Sequence, residues 1–138
     1  MIVLDTNVLS ALMRRAPERT VVAWLDRQPA ESIWTTSVTV FEIRFGIAIL
    51  PEGERREALG AAFDRMLAED LCGRVLDFDG AGAQAAAAIA AHLRSIGRPV
   101  DMRDLQIAGI VAARRATLAT RNARHFGETG IAIADPWD

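Results

Sequence analysis

Short apolar runs and helix-spaced apolar positions alternate along the whole chain. Ile2-Val3-Leu4 is a continuous apolar run that stops at Asp5, the pattern of a strand buried on both faces. A helix is predicted to open near Asn7 and carry Val8, Leu9 and Leu12. A second should run from Glu18 to Gln28 with Val21, Val22 and Leu25 on one side. Ser32 to Thr35 reads as the next strand. Ser37 is a candidate N-cap for a helix reaching Leu50, where Pro51 prevents continuation. A polar-rich helix follows from Glu52 to Glu69, with Leu59, Phe63 and Leu67 at four-residue spacing on its core face, and Gly73 ends it. Val75 to Phe78 is a predicted strand, Asp79 or Gly80 leads into an alanine-dense helix through Arg94, and Gly97-Arg98-Pro99 is a loop. Asp101 is a candidate N-cap for a helix to Arg115, and Thr117 to Thr120 and Ile131 to Ile133 read as the last strands. The alanine run from Ala85 to Ala91 reads as a tightly packed or self-associating helix. With no linker, repeat or break in composition, residues 1–138 form one predicted α/β domain.

Composition narrows the chemistry. A chain of 138 residues has enough length for one core without staples. The formal net charge is −2, so no overall basic footprint marks nucleic-acid binding, although a local strip remains compatible with it. All 16 basic residues are arginine, which excludes P-loop phosphate cradling and Schiff-base chemistry, both of which need lysine. Cys72, the sole cysteine, can form neither an internal disulfide nor a CxxC metal site. His92 and His125 lie too far apart for a zinc-protease motif. The N-terminus lacks the basic region of a signal peptide, and no apolar run reaches membrane-spanning length. A cytosolic protein is expected, with Cys72 a buried thiol and His92 at a surface helix position.

Three acids stand out. Asp5 lies where the first strand ends, and ligands of open α/β sheets bind outside the carboxyl ends of strands. It could coordinate a metal, attack a phosphate, or simply cap the next helix. On the helix from Ser37, the residues Val38, Phe41, Phe45 and Ile49 define an apolar stripe, with Thr39, Glu42 and Gly46 one step round the cylinder. Glu42 is thereby bordered by core residues and needs a cation, either Arg44, Arg121 or a metal. Asp104 falls in the first turn of its helix, where the dipole favours an anion and an acid often only caps the backbone. Its helix turns Ile107, Ala108 and Val111 inward.

The order of these pieces is more specific than any one of them. Ile2-Val3-Leu4-Asp5-Thr6-Asn7, then Glu42, then Asp104-Leu105-Gln106-Ile107-Ala108-Gly109, then Leu118-Ala119-Thr120-Arg121-Asn122 resembles the PIN-domain family over essentially the whole chain. The resemblance is strongest to the VapC toxins of bacterial toxin-antitoxin pairs and to their FitB-like branch. Gly127, Gly130, Ile133 and the ending Asp135-Pro136-Trp137 fit the same pattern.

The resemblance implies a three-layer α/β/α sandwich around a mainly parallel sheet, and a metal-dependent endoribonuclease site built from acids. Asp5, Glu42 and Asp104 match the three acids of the family's metal pocket, and Thr6 and Asn7 match the polar residues after the first. Many relatives carry a further acid in or just after Thr120-Arg121-Asn122-Ala123-Arg124-His125-Phe126, where this chain offers Asn122 and His125. Thr120 and Asn122 are supporting polar candidates, and Asp101 is a candidate ligand through water or a simple cap. Three clustered carboxylates repel one another unless a divalent cation stabilises their ionised forms. Magnesium or manganese suits such an all-oxygen site and keeps waters, one of which can attack a phosphodiester. Substrate grip must come from arginine, with Arg14, Arg15, Arg19, Arg121 and Arg124 as candidates and solvated surface positions as the alternative. Single-stranded or looped RNA is the expected substrate. The implied partners are a VapB/FitA-like antitoxin, through which DNA is contacted only indirectly, and a second copy of the chain in a homodimer. The alternative is a PIN-like domain that binds antitoxin or RNA without catalysis. A dehalogenase-like or receiver-like phosphotransfer protein fits poorly, because position 7 is Asn and no lysine is present.

Overall fold

Five short strands pair in parallel in the order β3-β2-β1-β4-β5: β1 (Ile2–Leu4), β2 (Ile33–Thr36), β3 (Val75–Leu76), β4 (Thr117–Ala119) and β5 (Ala132–Ala134). This computed structural model describes all residues 1–138. Parallel neighbours cannot be joined by tight turns, so each connection crosses over through helices. These are α1 (Thr6–Leu12) and α2 (Arg19–Asp26), α3 (Ser37–Ala48) and α4 (Glu54–Arg65), α5 (Gly80–Ser95) and α6 (Met102–Arg114), and the single-turn α7 (Ala123–Phe126). The sheet is parallel throughout rather than mainly so.

Alternation along the strands builds a core on each side of the sheet. Val3 and Leu118 face one cluster, which includes Ile107, Ile110, Val111 and Phe126. Leu4, Ile33 and Ala119 face the other, with Val8, Leu9, Val21, Ile43 and Phe63. Helices cover both faces, giving the three-layer α/β/α arrangement. The alanine-dense α5 packs on α6 so closely that a Cβ at Gly109 would stand 2.4 Å from the Gly82 carbonyl oxygen and 2.6 Å from Ala86 Cβ. Within the alanine run only Ala86 is buried in this contact, while Ala87, Ala88 and Ala91 are exposed.

Several expectations need correction. Thr36, not Ser37, caps α3, its hydroxyl accepting from the Thr39 amide at 3.1 Å. Asp101 occupies the N-cap position of α6 but makes no side-chain capping bond. Phe41, Phe45 and Ile49 are exposed, at 57%, 49% and 67%, while Val38, Thr39 and Ile43 turn inward. The reason is that α3 is apolar on nearly every side, so spacing identifies residues that share a face without saying which face the sheet takes. The helix α4 ends at Arg65 and continues as one wide turn of π type over Met66–Asp70. Phe63 is fully buried beneath it, while Leu59 and Leu67 are only partly covered. Cys72 is exposed rather than buried, because the chain reverses through positive φ at Cys72 (48°) and Gly73 (72°) and turns the thiol outward. The strand at Val75 stops at Leu76, two residues early, and the last strand is displaced by one residue to Ala132–Ala134.

Candidate active site

The strand order reverses direction at β1, whose neighbours β2 and β4 are reached by different crossovers, and the crevice beyond the strand ends there is the usual ligand site of such sheets. Asp5 follows β1 and Thr120 follows β4. Asp5 is only 4% exposed. Its Oδ1 accepts from the Thr6 amide at 2.8 Å, so the capping role is real. Its Oδ2 accepts from the Thr120 hydroxyl at 2.8 Å and from Asn7 Nδ2 at 3.3 Å. The remaining capacity of these neighbours is also used. Thr120 Oγ1 accepts from Asn7 Nδ2 at 3.2 Å and from the Asn122 amide at 3.0 Å, and Asn7 Oδ1 accepts from the Arg121 amide at 3.1 Å. Burial pushes the Asp5 carboxyl up from its ordinary value, against the pull of these three donors.

Glu42 and Asp104 approach from α3 and α6. The Thr6 hydroxyl donates to Glu42 Oε1 at 3.3 Å and lies 3.2 Å from the Thr39 hydroxyl. Arg103 Nη1 stands 3.7 Å from Glu42 Oε2. Glu42 is therefore paired with neither expected arginine: Arg44 bonds Asp64 at 2.7 Å and lies over Phe63, and Arg121 lies over Trp137. Asp104 Oδ2 faces His125 Nδ1 at 3.7 Å. Both carboxyls are pushed up, first by burial and then by neighbouring acids, which are Asp5 and Asp104 for Glu42 and Asp5 and Asp101 for Asp104.

Asp5, Glu42 and Asp104 line one pocket with Thr6, Asn7, Ser10, Arg14, Arg121, Asn122 and Trp137. Asp101, Arg124 and His125 line an adjoining groove that shares Asp104 and also holds Arg98. Arg15 and Arg19 are exposed and line neither. Sequence reasoning missed Arg103, Ser10 and Trp137. Ser10 was within reach of it, since it lies one helical turn beyond Thr6 and Asn7 on α1.

The donor set suits a hard divalent cation, being all oxygen and anionic. Asp5 uses three of the roughly four acceptor positions of a carboxylate, leaving room for one more bond. In the present rotamers no three His, Cys, Asp or Glu side chains stand close enough to hold one ion between them. An ion coordinated by one or two carboxylates and several waters, as magnesium commonly is, fits that spacing better than a closed protein cage.

Comparison with known proteins agrees with this fold. The PIN domain family matches residues 2–131. VapC ribonuclease Y4jK of Sinorhizobium fredii is 37% identical over 138 residues, covering 100% of this chain and 99% of that protein. Toxin FitB of Neisseria gonorrhoeae is 34% identical over 137 residues, covering 99% of each. Among solved structures, FitAB bound to an IR36 DNA fragment superposes with a TM-score of 0.91 at 33% identity, over 100% of this chain and 96% of that one. With this likeness running the length of the chain and the acids gathered at the sheet's switch point, the protein belongs to the PIN-domain family, within its VapC/FitB-like toxin branch.

Proposed function

We propose that this chain is the toxin of a toxin-antitoxin pair and cleaves RNA as a divalent-cation-dependent endoribonuclease. The observation that carries the reading is the gathering of Asp5, Glu42 and Asp104 in one pocket, each with its carboxyl pushed up by burial, to which neighbouring acids add for Glu42 and Asp104. Magnesium or manganese bound there would supply the positive charge that activates a water and stabilises charge on the phosphoryl oxygens. Asp5 is the fixed member, aimed by Thr6, Asn7 and Thr120. Glu42 and Asp104 approach from helices on either side and would orient water by accepting hydrogen bonds from it. Asn122 fixes Thr120 through its amide, and Asp101 adds negative charge beside Asp104. Arg14 and Arg121 at the rim grip backbone phosphates on one side of the acids, with Arg124 in the adjoining groove on the other. Single-stranded or looped RNA can bend into this narrow pocket.

The same reading gives the chain a small VapB/FitA-like antitoxin as partner, DNA contact only through that antitoxin, a homodimeric state and a place in the cytoplasm. No helix is long and apolar enough to cross a membrane. The homodimer is checked by light scattering, where a monomeric mass counts against it. The activity is checked with total RNA and purified, antitoxin-free protein in magnesium, manganese or chelator, beside Asp5→Asn and Asp104→Asn. Cation-dependent cutting lost in both variants is the expected result. A second reading, a PIN-like domain that binds RNA or antitoxin without cutting, draws on Asn122 and His125 standing where many relatives carry an acid. Folded protein that binds RNA and cuts none under either cation would favour it.

A further inference from the structure

Four side chains outside the acid cluster form a connected series along the pocket rim. Glu18, just before α2, divides its carboxylate between two partners. Its Oε1 accepts from Arg14 Nη1 at 3.0 Å, and its Oε2 accepts from the indole N–H of Trp137. The Trp137 indole in turn lies against Arg121, whose Cζ is 4.9 Å from the ring centroid. Arg14, Arg121 and Trp137 all line the pocket that holds the acids. The Arg121 amide is tied to Asn7 Oδ1, and Asn7 is itself bonded to Asp5, so this rim is coupled to the buried carboxylate.

The geometry favours Arg121 as a phosphate-binding group. It makes no ion pair, whereas Arg14, Arg44, Arg103 and Arg114 each have a carboxylate partner. Stacking on a ring uses the flat face of a guanidinium and leaves its in-plane N–H fork free for a bidentate bond to phosphate. Without the ring, an exposed arginine loses more side-chain freedom on binding and binds correspondingly less well. The indole N–H bond to Glu18 fixes the ring itself, so the orientation of Arg121 traces back to a residue outside the pocket lining.

We propose that Trp137, fixed by Glu18, is a positioning residue that holds Arg121 as a clamp on a backbone phosphate of single-stranded RNA, next to the phosphodiester over the acids. This rests on the ribonuclease reading above. The test titrates a labelled mixed-sequence oligoribonucleotide into full-length chain carrying Asp5→Asn, so that binding is read without cutting, over a series of salt concentrations. Trp137→Ala and Arg121→Ala should each weaken binding about fivefold and flatten the slope of log K against log salt by about 0.7, the share of one phosphate contact on a single strand. Combining them should cost nothing further, because both remove the same clamp. Trp137→Phe keeps a ring under the guanidinium but loses the N–H that bonds Glu18, and should recover only part of the loss. In the cutting-competent parent the same changes should raise KM and leave kcat within about twofold.

Additive losses, or weaker binding by Trp137→Ala at unchanged salt slope, would overturn the clamp, the latter pointing to a base stacked on the indole instead. If Trp137→Ala loses its cooperative unfolding transition, Glu18→Ala combined with Arg121→Ala decides the matter, with additivity again the overturning result. A parent chain that neither binds nor cuts RNA overturns the ribonuclease reading and the clamp with it. A parent that binds and cuts while Trp137→Ala and Glu18→Ala bind like the parent overturns the clamp alone.

Discussion

The two walls of the acidic pocket are built on different principles. On one, Asp5 and Thr120 extend from adjacent parallel strands, are buried, and use their bonds on one another, on Asn7 and on backbone amides. On the other, Glu42 and Asp104 stand on helices, partly open to water, and their neighbours Arg103 and His125 each remain 3.7 Å away. The first wall has one arrangement available to it. The second, with longer and more open contacts, can shift its side chains at smaller cost, which suits the proposed binding of a hydrated cation and a flexible phosphate. A pocket of this kind fixes one ligand and lets the others follow.

That contrast is broken most directly at Asp5. Asp5→Asn keeps the shape but removes the charge and one acceptor, and cutting of RNA should fall by about a hundredfold to a thousandfold. Thr120→Val tests the rigid wall without touching an acid. It takes the 2.8 Å bond from Asp5 and leaves the Asn122 amide without its acceptor. Activity should fall about tenfold to a hundredfold, and urea denaturation should show a loss of about 1–3 kcal/mol.

A smaller effect of opposite sign is expected at Asp104. Its carboxyl is pushed up in the folded protein, so at neutral pH the fold carries a charge that the unfolded chain holds more easily. In chelator, Asp104→Asn should raise Tm by about 3 °C, corresponding to about 1 kcal/mol once screening by water is allowed for. The advantage is complete above the raised folded pKa and should shrink as pH falls toward and below the ordinary aspartate value of 3.8, where both states are protonated. Scans of parent and variant at several pH values check it, and an advantage independent of pH would reject the charge explanation. The smallest change belongs to the yielding wall: Arg103→Ala removes a loose, half-exposed partner of Glu42 and should alter stability by less than about 1 kcal/mol. If Arg103→Ala cost as much as Thr120→Val, the two walls would not differ in rigidity at all.

The strand ending in Asp5 was readable because three apolar residues and a charge describe a buried strand reaching solvent, a purely local pattern. The succession of strands and helices along the chain was readable for the same reason, since each run and each helix carries its own signal, whereas the order of strands within the sheet was not. Which way α3 turns was not, because Phe41, Phe45 and Ile49 satisfy helical spacing as well as Val38 and Ile43 do. The choice is made by the sheet and α1, which touch α3 from distant parts of the chain. The partner of Glu42 escaped for a related reason. Arg103 is adjacent in sequence to a candidate acid, yet only the packing of α6 beside α3 shows that it faces a different one. Trp137 and Glu18 lie 119 positions apart, beyond any periodicity, and their bond exists only once β5 has returned the chain to the first helices.

The absent side chain of Gly109 has a consequence for how this protein can change over time. It sits on α6, the helix that carries Asp104, but on the surface buried against Gly82 and Ala86. The depth at which Asp104 stands is therefore set partly by what is missing behind it. Many exposed positions can change without moving that acid, whereas one methyl group at position 109 would push α6 off α5 and shift Asp104 relative to Asp5. Inheritance would then guard a residue that touches neither substrate nor solvent.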